Sequence, residues 1–187
     1  RGLYVVADPR FLKPEEDLLD YVSALAHAGA PTIQLRMKDA PVAQVLETAK
    51  RMAKIRRRHR FYFVVNDHPE IAREVGADAV HVGKSDSNIS RARDSVGDKI
   101  AIGFSTHSHD EAVAAARQGA DYVAFGAIFP TATKGPGHPV QDLEKLRGVV
   151  EAVSKPVVAI GGINRSNVKD VWATGVHAVA MITGISQ

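Results

Sequence analysis

Short apolar runs alternate along this chain with longer stretches in which apolar residues recur at helical spacing. The runs fall at residues 3–7, 32–35, 61–65, 79–82, 100–104, 122–125, 157–160 and 178–182. Each is four or five residues long and bounded by polar, glycine or proline positions, as expected of strands buried on both faces. Between them, helical patterning covers 14–28, 43–55, a short stretch closed by Gly76, then 89–96, 110–118, 141–153 and 164–173. The joins repeat as well. GAPTIQL, GADAVHV, GADYVAF and GVHAVAM each place Gly at a helix end, two residues before a strand, where its freedom to adopt a left-handed conformation closes the helix.

Eight strands with seven intervening helical segments predict an α/β fold, a compact (β/α)8 TIM barrel rather than an open doubly wound sheet. With 187 residues, of which 45% are hydrophobic, the chain fills one core, and a single domain over 1–187 is expected. The chain ends at Gln187, five residues past the eighth run, so the last helix is expected to be missing or disordered, or its place taken by a partner. Because the chain opens on Arg1 rather than Met, residues are expected to precede it.

Composition narrows the function classes. There is no Cys, hence no disulfide framework and no thiolate chemistry, which suits a reducing cytoplasm. No apolar run reaches membrane-spanning length, and no signal peptide is expected before the first strand. A net charge of +3 favours anionic ligands only slightly. The basic run IRRRHR at 55–60 closes a helix, where cations complement the dipole, and lacks the aromatic interleaving of a nucleic-acid surface.

In a barrel of this kind, residues following strands line the active face. Sorting polar residues by that rule gathers Gln34, Arg36 and Lys38 at strand two, Asn66 and Asp67 after strand three, and Asp86 after strand four. Ser105 and Thr106 follow strand five, Thr131, Thr133 and Lys134 follow strand six, Gly161 and Gly162 follow strand seven, and Thr183 and Gly184 follow strand eight. The Asp67 and Asp86 carboxylates converge on one rim if their strands are neighbours. There they suit a hard cation such as Mg2+ that also takes phosphate oxygens from a substrate. Asp67, following Asn66, reads equally as a helix cap. Gly161 and Gly162 before Asn164, with Thr183 and Gly184, suit a phosphate pocket of backbone N–H groups, the plainer alternative being a tight turn. The long loop 126–139, carrying Thr133 and Lys134, is placed to close over an anion. His81, His107 and His109 lack a third ligand or a partner carboxylate and read as structural or surface residues. No nucleophile elbow, dinucleotide fingerprint or P-loop occurs.

Five ordered blocks, IQLRMKD (33–39), VVNDHPEIAREVGADAVHVGKSD (64–86), IGFSTHS (102–108), FGAIFPTATK (125–134) and VVAIGGIN (157–164), resemble the thiamine-phosphate synthase family. The resemblance implies a transferase that couples hydroxymethylpyrimidine diphosphate with thiazole phosphate, giving thiamine phosphate and diphosphate. By matching position, it implies that Gln34, Arg36, Lys38 and Asn66 hold the pyrimidine and its diphosphate, and that Asp67 and Asp86 hold Mg2+. Ser105 and Lys134 would contact the diphosphate, and Thr131 and Thr133 the thiazole phosphate, to which Gly162, Ile182 and Thr183 would offer backbone N–H groups. Among these, Arg36, Lys38, Ser105 and Lys134 are the expected catalytic groups. The implied partners are small phosphorylated heterocycles, without nucleic acid or membrane, and a homo-oligomer is left open. The chain departs from the family pattern at Lys84, Phe125, Ala127, Thr183 and the run 135–139, expected to touch the thiazole side more than the metal side. Two relatives share the barrel: a thiazole tautomerase, whose catalytic His would stand at Ala127, and a non-catalytic regulator that binds thiamine phosphate. Neither needs the Arg–Lys and Asp–Asp sets retained here.

Overall fold

The structure, a computed structural model, describes residues 2–84, 88–131, 133 and 139–185. Eight strands close into a barrel in sequence order: β1 (Gly2–Ala7), β2 (Thr32–Leu35), β3 (Tyr62–Asn66), β4 (Ala79–Val82), β5 (Ala101–Thr106), β6 (Tyr122–Gly126), β7 (Val157–Ile160) and β8 (Ala178–Met181). Every pairing is parallel, and β8 returns to β1 with Gly2 opposite Ala178. The α-helices among the described residues are α1 (Leu18–His27), α2 (Val42–Arg58), α3 (Pro69–Val75), α4 (Ile89–Val96), α5 (His109–Arg117), α6 (Leu143–Ala152) and α7 (Val168–Ala173). None is long and apolar enough to cross a membrane.

Side chains at helix starts set the boundaries that periodicity misses. The expected start at Pro14 moves to Leu18, because the Asp17 carboxylate accepts from the Leu19 and Asp20 N–H groups at 2.8 and 3.2 Å. In the same way Asp142 accepts from the Lys145 N–H at 2.8 Å and starts α6 at Leu143. Ser108 caps α5, and Glu111 reaches back to the His107 N–H at 2.8 Å. Three strands, by contrast, run further at their carboxyl ends than the apolar runs suggest: β3, β5 and β6, which takes in Gly126. β3 takes in Asn66 and β5 takes in Ser105 and Thr106, so these polar residues sit inside the barrel wall instead of following it.

The core has two compartments. The larger lies between strands and helices, where Val45, Ala49 and Met52, spaced four and three apart on α2, pack with Ile33, Leu35 and Phe63. The smaller fills the barrel interior with Tyr4, Val6, Val64, Ala79, Tyr122, Ala124, Val158 and Ala180. Strand alternation then fixes what faces inward at the carboxyl end. Gln34 pairs in register with Val6, Asn66 with His81, and Ser105 with Ala124.

Candidate active site

A cavity of about 410 Å³ opens at the carboxyl end of the strands. From β2 and the turn after it come Gln34, Arg36 and Lys38; from β3 and the turn after it come Asn66 and Asp67; from β5 comes Ser105. Arg36 extends the sheet by one more hydrogen bond, its N–H donating to the Ala7 carbonyl at 3.0 Å. The guanidinium is held by Asp8, whose side chain is fully enclosed. Arg10 grips the same carboxylate, at 3.1 Å through Nε and 2.8 Å through Nη2, and its other arm reaches Asp39 at 2.9 Å. Burial works against the Asp8 charge, but hydrogen bonds from Arg10 and then Arg36 outweigh it and hold the carboxyl below the usual carboxylate range. A buried carboxylate between two guanidinium groups keeps Arg36 fixed before any substrate arrives.

Asp67 has φ 65, the one left-handed non-glycine conformation among the described residues. Its N–H donates to the His81 carbonyl at 2.8 Å, pinning the turn between β3 and α3. The N-cap of α3 is His68, so the capping role open to Asp67 in the sequence falls one residue later. A non-glycine residue held in this conformation carries strain that the surrounding structure must sustain, and such strain gathers at functional sites. Asp67 lines the cavity, as do Gly83 and Lys84 after β4. Asp86 and Lys134 lie outside the described residues.

Polar side chains of this cavity wall join with Tyr122 in a connected set across the barrel. Gln34 Nε2 donates to Tyr4 Oη at 2.7 Å, and Tyr4 Oη lies 2.9 Å from Tyr122 Oη. Tyr122 Oη is 3.1 Å from His81 Nδ1, and His81 Nε2 is 2.8 Å from Ser105 Oγ. Burial pushes the Tyr4 and Tyr122 phenols well above their usual values, so both remain protonated. His107, also on this cavity wall, has Nδ1 2.7 Å from the Gly126 carbonyl, whereas His109 is exposed beside Asp110.

A second cavity, also about 410 Å³, adjoins the first and shares Thr133, Ile160, Ala180 and Ile182 with it. Thr131, Gly161, Gly162 and Thr183 complete the part expected to meet a phosphate. Gly162 has φ 64, and a Cβ there would lie 2.5 Å from the Pro130 carbonyl oxygen. Gly161 has φ 102, and its Cβ would fall 2.4 Å from that of Ala127. Only glycine allows this close approach of the β7 and β6 loops. The Thr131 hydroxyl lies 3.1 Å from that of Thr133. Of the departures from the family pattern, Ala127 and Thr183 line this second cavity, Lys84 lines the first, and Phe125 is fully buried in the outer core.

Sequence reasoning missed Asp8, Arg10, Tyr4 and Tyr122. Asp8 was within reach, because it follows the first strand as the other rim residues follow theirs. The two tyrosines carry no such mark, since each belongs to an apolar strand and becomes polar equipment only through cross-barrel register.

A sequence profile described as Thiamine monophosphate synthase matches residues 3–185. The thiamine-phosphate synthase of Clostridium acetobutylicum is 39% identical over 183 residues, covering 98% of this chain and 86% of that protein. The Pyrococcus furiosus thiamine-phosphate synthase is 40% identical over the same shares of both chains. Among solved structures, a thiamine phosphate pyrophosphorylase from Pyrococcus furiosus superposes with a TM-score of 0.87 at 39% identity, covering 97% of this chain and 85% of the other. An N-acetylmannosamine-6-phosphate 2-epimerase from Clostridium perfringens has a TM-score of 0.71 at 15% identity over 98% of this chain and 88% of its own, a likeness of fold alone.

Proposed function

The chain belongs to the thiamine monophosphate synthase family, and on that premise we propose that it is a transferase joining hydroxymethylpyrimidine diphosphate to thiazole phosphate. The bond between the pyrimidine methylene carbon and the diphosphate oxygen breaks, and the diphosphate leaves with the electron pair. The thiazole nitrogen then gives its lone pair to that carbon, forming thiamine phosphate. No protein nucleophile is needed, and the rate depends on stabilising the leaving anion. The carrying observation is that two cavities of equal volume share a wall, one lined by Arg36, Lys38, Asn66 and Asp67, the other by glycine backbone and threonine hydroxyls.

In this reading Gln34 and Asn66 orient the pyrimidine, while Arg36 and Lys38 draw off charge from its diphosphate, aided by Ser105 and Lys134. Thr131, Thr133 and the N–H groups of Gly162, Ile182 and Thr183 hold the thiazole phosphate. Asp67 and Asp86 would seat Mg2+, whose charge neutralises diphosphate oxygens when it is bound. The donor chemistry fits such a cation. Among the described residues no three His, Cys, Asp or Glu side chains cluster as a closed metal cage. Mg2+ commonly needs only one or two carboxylates, with substrate oxygens and water completing its shell. Asp67, fixed on the cavity rim by its backbone, can supply one. A cytoplasmic location accords with the cysteine-free chain and with phosphorylated substrates.

The test is to incubate the protein with both phosphorylated heterocycles and Mg2+ and to quantify thiamine phosphate and diphosphate. Equal amounts of the two products, with neither formed when one substrate is omitted, are expected. Failure to form thiamine phosphate with both substrates and Mg2+ present would overturn the proposal.

A further inference from the structure

We infer that the buried set Gln34–Tyr4–Tyr122–His81, ending on the half-buried Ser105, is a hydrogen-bond chain of fixed direction that turns the Ser105 hydroxyl hydrogen toward the diphosphate. Tyr122 and His81 act in it as positioning residues. The inference rests on the reading of Ser105 as a diphosphate contact and extends it to residues that never touch the substrate's phosphates.

The direction follows from counting protons. The Gln34 amide nitrogen can only donate, and it faces Tyr4 Oη at 2.7 Å. Tyr4 has a single proton, which its oxygen gives to Tyr122 Oη at 2.9 Å. Tyr122 in turn has one proton to place, and its other neighbour in the chain is His81 Nδ1 at 3.1 Å. An imidazole nitrogen is a much better proton acceptor than a phenol oxygen, so the phenol donates and His81 Nδ1 accepts. With Nδ1 accepting, the ring proton stands on Nε2, which donates to Ser105 Oγ at 2.8 Å. With its oxygen already accepting from His81, Ser105 has its own hydrogen left to give, and the cavity is where it points to an acceptor. Reversing the chain would turn Ser105 into a donor to His81 and present lone pairs, which repel an anion.

A second feature shows that the crossing is built in. Tyr122 stands opposite Gly103 in the β5–β6 register. A Cβ on Gly103 would lie 2.0 Å from Tyr122 Cζ and 2.3 Å from its hydroxyl oxygen. The phenol reaches across the barrel to His81 and Tyr4 because the neighbouring strand offers no side chain there. The rings of His81 and Tyr122 lie 5.6 Å apart, centroid to centroid, so the imidazole plane is held by packing as well as by its hydrogen bonds.

Nitrogen-15 spectra of histidine-labelled protein, with His81 assigned by its loss in His81→Gln, read the tautomer directly. The expected form is Nε2–H in the wild type and in Tyr4→Phe, because Tyr122 keeps its own proton when Tyr4 loses its hydroxyl. In Tyr122→Phe, which preserves the ring, the Nε2–H preference should be lost. Titration with inorganic diphosphate and Mg2+ supplies the second readout. Tyr122→Phe and Ser105→Ala should each weaken binding by about tenfold, the scale of a hydrogen bond to a charged group. The double variant should bind no more weakly than Ser105→Ala alone, because Tyr122 acts through Ser105. An Nδ1–H tautomer in the wild type, or additive losses in the double variant, would overturn the inference. Wild type that binds no diphosphate at all would sink the diphosphate reading itself, while the tautomer would still judge the direction of the chain.

Discussion

The two cavities enclose equal volumes, about 410 Å³ each, yet they are made from different parts of the polypeptide. The first is a side-chain site. Its cations, amides and carboxylate come from β2, β3 and the turns after them, with a hydroxyl from β5, and they are braced by Asp8 and by the tyrosine pair. The second is a backbone site, where Gly161 and Gly162 let two loops approach and Thr131, Thr133 and Thr183 add hydroxyls. The difference matches the chemistry asked of each half. A diphosphate that departs with extra charge needs full positive charges held in place. A phosphate that only anchors its substrate needs donors of fixed geometry, which oriented peptide N–H groups supply without lysine or arginine. Side-chain sites should therefore lose rate when a single group is removed, and backbone sites should lose binding when the chain path is altered.

The sharpest way to break this contrast is Asp67→Ala. It should lower the Mg2+-dependent coupling rate by at least about a hundredfold while circular dichroism shows an intact barrel; undiminished turnover would strike Asp67 from the metal seat. Gly162→Ala tests the opposite half. Placing a Cβ at φ 64 against the Pro130 carbonyl should cost about 1–3 kcal/mol of stability and raise KM for thiazole phosphate, leaving KM for the pyrimidine diphosphate nearly unchanged. Equal rises in both KM values would erase the distinction between the cavities. Lys134→Ala should weaken diphosphate binding by about tenfold, and unchanged affinity in a titration with diphosphate and Mg2+ would strike Lys134 from the proposed diphosphate contacts.

A smaller effect concerns Asp8. Its carboxyl is held below the usual range in the folded chain, with burial opposing and Arg10 and Arg36 prevailing. The unfolded chain binds that proton at an ordinary carboxylate value, so the contribution is complete above the ordinary range and fades as pH falls through the lowered folded value. Acid denaturation should show it. Asp8→Asn should flatten the acid limb of the stability curve and raise KM for the pyrimidine diphosphate by loosening Arg36; an unaltered acid limb would mean that the ion pair adds nothing to folding.

How far the sequence reached differs between the same two regions. The rim residues after strands two, three, seven and eight were readable because a polar residue or a Gly-Gly pair stands out beside an apolar run. Helix starts were misplaced by up to four residues, as at Pro14 against Leu18, because the deciding event is one Asp17 carboxylate meeting two N–H groups. Ser105 was placed after its strand but lies within it, since a polar residue facing a barrel interior interrupts an apolar run without ending the strand. Tyr4, Tyr122 and Gly103 could not be joined from sequence, because what unites them is register between strands more than a hundred residues apart in the case of the two phenols. Asp67 kept two meanings until its backbone conformation and the position of His68 separated them.

Both halves should be filled at once across the shared wall of Thr133, Ile160, Ala180 and Ile182. Calorimetric titration of thiazole phosphate into protein already saturated with diphosphate and Mg2+ tests it most directly. One further equivalent should bind, in wild type and in Lys134→Ala alike, and Gly162→Ala should lose that binding. Displacement of the diphosphate by thiazole phosphate, with no second equivalent taken up, would show that the two cavities are not occupied together.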